Sequence, residues 1–381
     1  MYSNVRTFGA LGDGFTDDTR AVLSAIQDAV DTTGVVFFPP GNYMINPIEL
    51  PSHITLMGNS AWSYLGSRVD ANGNPYNPDN KGRTIISALT GNARALFDLE
   101  GKYGTRIIGL TLDGRDLGER MHGVYTRNIG NEQHICIEDC RIEHFTGSGV
   151  RLDRSWVFSI RRCFIKNNAE HGIDCTSGYD GWIIDNQLTA NKGAGLFASG
   201  VDIKGTDEFG RPVFTGMATV MVTANRIEWN RKAGAHLTAS NTMQFTGNSI
   251  DHNFGPGIYL HSCTSGTISG NSIRSSGISF ENEHSTHIYL EECLGVAVTG
   301  NSLWGWFNRK EYDLKLATPY YNYSVKNNKD CTIIANAAYE GCGKDNILDL
   351  GGNENCIFNE NPASYPDLKK YNLTVNWYLI D

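Results

Sequence analysis

HICIEDCRI, residues 134–142, returns down the chain as VFSIRRCFI (157–165), WIIDNQL (182–188), VMVTANRI (220–227), MQFTGNSI (243–250), GTISGNSI (266–273) and VAVTGNSL (296–303). Aligned on Cys140, Cys163, Asn186, Asn225, Asn248, Asn271 and Asn301, the steps are 23, 23, 39, 23, 23 and 30 residues. A second landmark, GVRLD, GIDCT, GLFAS, GAHLT, GIYLH and HIYLE, starts at Gly149, Gly172, Gly195, Gly234, Gly257 and His287 with steps of 23, 23, 39, 23 and 30. Two independent landmarks thus share one 23-residue period and the same insertions of 16 and 7 residues.

Each repeat holds two or three short β-like stretches and no helical periodicity. A strand of about five residues cannot bury an apolar face alone, but stacked repeats bury a continuous one. Two rows read as inward: Ile137, Ile160, Ile183, Val222, Phe245, Ile268, Val298, and Ile142, Phe164 with Ile165, Leu188, Ile227, Ile250, Ile273, Leu303. Asparagines stacked at turns let side-chain amides bond between coils. A leucine-rich repeat does not fit the period or the pattern. The expectation is an all-β, right-handed parallel β-helix of about ten coils in one domain, with a cap and first strands over 1–50, coils over 51–360 and a tail over 361–381.

The N-terminal stretch differs. Thr16 reads as an N-cap with Asp17 and Asp18 in the first turn, and Ala21, Val22, Ala25, Ile26, Ala29 and Val30 form one apolar face. Such a helix covers the open end of a β-helix core. Here GALGDGFTDDTRAVLSAI followed by VVFFPPGNYMI resembles the N-terminal signature of the pectate-lyase-like superfamily, which includes polysaccharide lyases, glycosidases and phage tailspike depolymerases. The resemblance implies a carbohydrate-acting β-helix protein. Asp13, Asp17 and Asp18 in it read as turn and cap residues rather than catalytic ones. HIYLEECLGVAVTGNSLWGW broadly resembles inulin fructotransferases, and GVRLDRS resembles the groove strand of mannuronan epimerases without their Asp-Pro-His-Asp signature. The NTD, GHG and RIK motifs of polygalacturonases are absent. Asp70-x-Asn72-x-Asn74 is similar to a calcium loop, but Lys81 stands where an EF-hand needs glutamate. No metal or cofactor is expected.

Outward side chains of one strand stack into columns about 4.8 Å apart. The G-φ-x-φ-x strand yields two. One is Tyr125, Arg151, Asp174, Phe197, His236, Tyr259, Tyr289; the other is Arg127, Asp153, Thr176, Ser199, Thr238, His261, Glu291. The mixture of acids, imidazoles, guanidiniums and aromatic rings departs from a merely solvated face. Aromatic faces suit sugar rings, and arginine suits carboxylates. Both insertions adjoin this strand, which marks a binding face. Asp153 and Asp174, one coil and two residues apart, suit an inverting acid and base; Asp202 in the 16-residue insertion adds a third carboxylate. Uronate chemistry would instead use Arg151 with His236 or His261. The candidate catalytic residues are therefore Asp174, Asp153, Arg151, His236 and Asp202; the candidate substrate-binding residues are Tyr125, Arg127, Phe197, Tyr259, His261, Tyr289 and Glu291. An Arg151–Asp174 surface salt bridge is the plainer alternative. Asp113, Arg115, Asp116 and His122 lie just before the same strand of an early coil. A third outward column, Glu143, Lys166, Thr189, Glu228, Asp251, Arg274, Trp304, reads as a solvated face, or as a carboxylate pair at Glu228 and Asp251.

A net charge of −9 argues against nucleic acid as the main partner, and no apolar run is long enough to span a bilayer. The start, MYSNVRTFGALGDG, shows no signal peptide. The nine cysteines have no CxxC spacing and read mostly as small core residues. The functional expectation is cleavage of glycosidic bonds of a polysaccharide or oligosaccharide. A non-catalytic tailspike-like adhesin and a fructotransferase or uronate epimerase stay open, and the resemblance brings a homotrimer into consideration.

Overall fold

The computed structural model describes residues 2–59, 82–127, 133–200, 203–206, 212–213, 216–278, 282–305, 318–339 and 341–359. Three parallel sheets of 13, 12 and 11 strands run the length of a right-handed β-helix. Each strand pairs with its counterpart one coil away, so the sheets follow directly from the repeat. The count exceeds ten coils because the N-terminal strands already belong to the stack, starting with Ser3–Asn4 and Asp13–Asp17.

The register confirms the first inward row and corrects one member of the second. Ile137, Ile160, Ile183, Val222, Phe245, Ile268 and Val298 are successive partners on the first sheet. On the second sheet the row passes through Ile165, not Phe164, which points outward beneath the Arg141 guanidinium. The row is buried, with apolar side chains at almost every inward position.

The chain turns at single left-handed residues, four per coil. Asp139, His144, Arg154 and Val157 have φ of 54, 58, 51 and 55°, and Arg162, Asn167, Ser177 and Asp180 repeat them at 52, 54, 57 and 50°. Such conformations cost non-glycine residues about 1–2 kcal/mol each. Buried side-chain ladders beside the corners offset this. Asn225 accepts from the Asn186 backbone N–H at 2.9 Å and donates Nδ2 to Ile183 O at 2.8 Å and to Asn248 Oδ1 at 3.0 Å. Cys140 and Cys163 stand at the same ladder position; the Cys163 thiol meets Ile137 O at 3.5 Å where an asparagine amide would. All nine cysteines are free thiols and eight are buried.

The capping helix spans Thr19–Asp31, with Asp18 at the N-cap position, not Thr16, which lies in the strand Asp13–Asp17. The carboxylates nearby serve the turn before the helix. Asp13 accepts from Phe15 and Thr16 N–H groups, and Asp18 from those of Leu11 and Gly12. Val22, Ala25, Ile26 and Ala29 face the core, whereas Val30 is exposed. At the other end Cys356 lies one coil beyond Cys331, since Ile357 pairs with Thr332. The calcium-like segment 70–81 and the tail 361–381 lie outside the described residues.

Candidate functional site

On the third sheet both expected columns are present in register. Tyr125, Arg151, Asp174, Phe197, His236, Tyr259 and Tyr289 are successive partners, as are Arg127, Asp153 and Thr176, and Thr238, His261 and Glu291. The insertions flank them. The 16-residue one leaves after Ser199, and its strands Ile203–Thr206 and Pro212–Val213 pair antiparallel. The 7-residue one brings His284 edge-on against Tyr259 and Tyr289, with ring centroids 5.5 and 5.3 Å away. Asp202 lies outside the described residues.

Asp174 is the most enclosed carboxylate here: its side chain is 3% exposed, against 22% for Asp153. Arg151 contacts one of its oxygens, and the Thr176 hydroxyl donates to the other at 3.0 Å. Burial pushes the Asp174 carboxyl above its ordinary range, Arg151 and Thr176 pull it down, and burial prevails. The salt bridge is therefore present, and it does not abolish the upward shift. Asp153 meets Arg127 at 3.6 Å and the Tyr125 hydroxyl at 3.4 Å. With register partners about 4.8 Å apart and two residues of offset, the Cα atoms of Asp153 and Asp174 stand about 8 Å apart.

The turn entering this sheet adds residues that the columns did not reveal. Arg120 grips Glu170 through two nitrogens at 2.6 and 3.2 Å. Burial would raise the Glu170 carboxyl, but Arg120 outweighs it and holds it low. Beside it, His171 accepts the Ala194 backbone N–H on Nδ1 at 3.0 Å, and His122 accepts that of Ser148 at 2.8 Å. A ring nitrogen that accepts carries no proton, so each neutral ring bears its proton on Nε2 and presents a donor. Burial pushes both imidazoles down to about 4, and they stay neutral near pH 7. The signal was available: other coils place Ser148, Ala194, Ala233 and Pro256 where His122 and His171 stand.

The aromatic rings are used differently from expectation. His171 lies flat on Phe197 at 4.1 Å, His236 on Tyr259 at 4.6 Å, and Tyr259 on Tyr289 at 4.8 Å, while Phe197 meets His236 edge-on at 5.4 Å. In-register stacking occupies the faces with one another, so the column offers edges and polar tips rather than platforms for sugar rings. The Tyr259 hydroxyl donates to Glu291 at 2.5 Å, and Lys326 reaches the same carboxylate at 2.8 Å. Burial pushes the Tyr259 hydroxyl up, and Glu291 adds to it. Burial also brings His236 down to about 4, with His261 and His284 acting in the same sense.

The column from Glu143 to Trp304 has the expected register, but it is no solvated face. Glu143, Lys166, Thr189, Glu228 and Asp251 are all buried. Glu228 and Asp251 each have partners of their own. Glu228 is held by Arg226 at 2.7 Å and Gln187 at 2.9 Å. Asp251 is held by Arg274 and by His252 at 2.5 Å, which outweigh burial and bring it to about 2. Asp113 sits 3.3 Å from His144, and Arg115 and Asp116 are left-handed turn residues. Among the described residues no group of three or more histidines, cysteines or acids converges as metal ligands would, and no helix is long and apolar enough to cross a membrane.

The profile of the right-handed β-helix region family matches residues 80–207 and 213–366, and that of the rhamnogalacturonase A/epimerase, pectate lyase-like family matches residues 2–76. The chain belongs to the right-handed β-helix family. As a β-helix protein it is 26% identical over 249 residues to mannuronan C5-epimerase AlgE3 of Azotobacter vinelandii, covering 61% of this chain and 12% of that one. It is 25% identical over 304 residues to the capsule K30/K69-specific depolymerase of Klebsiella phage K64-1, covering 68% and 37%. The chain thus spans well under two thirds of either relative. Among solved structures, the A-module of A. vinelandii mannuronan C-5 epimerase AlgE4 superposes with a TM-score of 0.65 at 18% identity over 92% of this chain and 98% of that one. DFA-IIIase from Arthrobacter chlorophenolicus A6 gives 0.64 at 14% over 93% and 92%. Both likenesses are of fold.

Proposed function

We propose that this β-helix protein is a carbohydrate-active enzyme that cleaves glycosidic bonds of a chain lying along the third sheet. Asp174 serves as general acid and Asp153 as the base. The observation that carries the reading is the contrast between the two carboxylates. Asp174 is enclosed and shifted toward its protonated form, whereas Asp153, about 8 Å away by Cα, meets solvent. That Cα spacing is compatible with carboxyl groups about 6.5–9.5 Å apart, the separation that leaves room for a water on the far face of the sugar in inversion. Protonated Asp174 gives its proton to the leaving glycosidic oxygen while Asp153 takes one from the attacking water. The Nε2–H groups of His122 and His171, with Arg120 and Glu170, line the approach as hydroxyl-binding groups. The epimerase, depolymerase and DFA-IIIase names of similar proteins support a carbohydrate ligand.

His236 favours a second reading. It is neutral near pH 7 and, among the described residues, accepts no backbone N–H, which suits it to abstract a proton, as elimination or epimerisation at a uronate requires. Incubation with neutral and acidic polysaccharides separates the readings. Reducing ends without unsaturated products select hydrolysis; unsaturated ends or a changed sugar configuration select proton abstraction. In the first reading Asp174→Asn lowers the rate about 100-fold or more with the melting temperature retained. An unchanged rate removes Asp174 from the mechanism.

A further inference from the structure

We propose that a second glycan-contact site lies on the first sheet, centred on Trp156, Tyr179 and Trp182, and takes the same polysaccharide chain as the third-sheet groove. The proposal rests on the carbohydrate reading above. Sugars stack their C–H faces on aromatic faces, and in the groove those faces are occupied by neighbouring rings. Free faces are found around the corner. Trp156 and Trp182 are each 37% exposed and Met221 is 40% exposed. Among the described residues neither indole stacks on another ring or lies under a cation.

Register and sequence place the three residues near one another on two adjacent coils. Trp156 and Tyr179 are register partners on adjacent coils, and Trp182 and Met221 are partners one coil further on. Trp182 stands three residues beyond Tyr179, across the left-handed corner at Asp180, so their Cα atoms are at most ~10 Å apart. The patch is held in place. The Trp156 indole N–H donates to Asp180 at 2.7 Å, and the Phe158 ring packs against Gly181, where a Cβ would come within 2.1 Å of it. Asp180 brings a carboxylate against the Trp156 indole, an acceptor such as a hydroxyl-bearing ligand requires.

Continuity with the groove identifies the occupant. Trp156 follows Asp153 by three residues and Tyr179 follows Thr176 by three, each across one left-handed corner, Arg154 or Ser177. The platform therefore begins where the groove ends, on the same two coils that carry the acid pair. A chain held by Asp153 and Asp174 that continues toward this edge meets ring faces next.

The test is electrophoresis of the full chain in native gels cast with dextran, mannan, xylan, alginate or polygalacturonate. All variants carry Asp174→Asn, so that the polymer persists. Removing both rings by Trp156→Ala with Trp182→Ala is expected to weaken retardation by the polymer that slows the parent about tenfold, or about 1.4 kcal/mol. Trp156→Phe with Trp182→Phe retains faces and is expected to retain most of the binding, which separates stacking from misfolding. Equal retardation of the parent and the alanine variant overturns the platform and leaves the groove reading intact. Loss of self-association in a sedimentation run, with retardation unchanged, assigns the patch to a second copy and also overturns it. A parent retarded by no polymer sinks the carbohydrate reading and the platform with it.

Discussion

Arg151 and Asp174 are register partners on neighbouring coils, and the guanidinium of the first touches the carboxylate of the second. The contact opposes the burial that raises Asp174. If Asp174 is the acid, Arg151 sets the upper limit of the working pH. An acid works only while protonated, so activity falls as pH rises through its pKa. Arg151→Gln removes the opposing charge, and the alkaline limb of the kcat/KM profile is expected to move to higher pH. A limb that stays in place would show that another group controls it.

The asparagine ladder predicts a large stability loss from a small substitution. Asn225→Ala removes the side-chain partner of the Asn186 N–H and of the Ile183 carbonyl and takes one bond from each neighbouring ladder amide, Asn186 and Asn248. A cost of about 2–4 kcal/mol is expected by denaturant unfolding. Asn225→Cys is expected to cost less, because thiols already fill this ladder position at Cys140 and Cys163. Equal losses for both would deny the thiol that role.

Gly181 has the Phe158 ring where a side chain would be; the three nearest atoms all belong to that ring. Gly181→Ala is expected to destabilise by about 1–3 kcal/mol. Combined with Phe158→Leu, the loss is expected to fall well short of the sum of the single losses. Additive losses in a double-mutant cycle would place the strain elsewhere.

Acid sensitivity is expected in two stages. Burial brings His287, which is fully enclosed, down to about 4, as it does His122, His171 and His236. Between the unfolded value near 6.5 and about 4, the unfolded chain binds protons that the folded chain refuses, so stability falls as pH drops through that window. Asp251 has its folded pKa lowered from 3.8 to about 2, so its contribution, roughly 2 kcal/mol, is lost only below about pH 4. Melting temperatures across pH 7 to 2 report both stages. His287→Gln is expected to flatten the first and leave the second, and an identical slope in the variant would dismiss the histidine account.

Read alone, the sequence determined the period, the inward rows and the membership of every outward column. In-register parallel stacking turns an alignment of repeats into a map of neighbours, so Ile137 next to Ile160, or Arg151 next to Asp174, needed no coordinates. The arrangement of side chains within that map was another matter. Register says that Phe197, His236, Tyr259 and Tyr289 are adjacent, but rotamers decide that they spend their faces on one another. Register places Glu228 beside Asp251, but local donors decide that each carboxylate has its own cation. Burial of the Glu143 column comes with partners such as Arg141, Gln187 and Arg226, whose side-chain directions no repeat encodes. Glu170 and His284 come from a turn and an insertion, where the 23-residue pattern carries least information, and only the tertiary structure brings them to the third sheet. A repeat specifies backbone neighbours because hydrogen-bonded pairing has one register; it leaves open the directions in which side chains point and what encloses them, and these decide the chemistry.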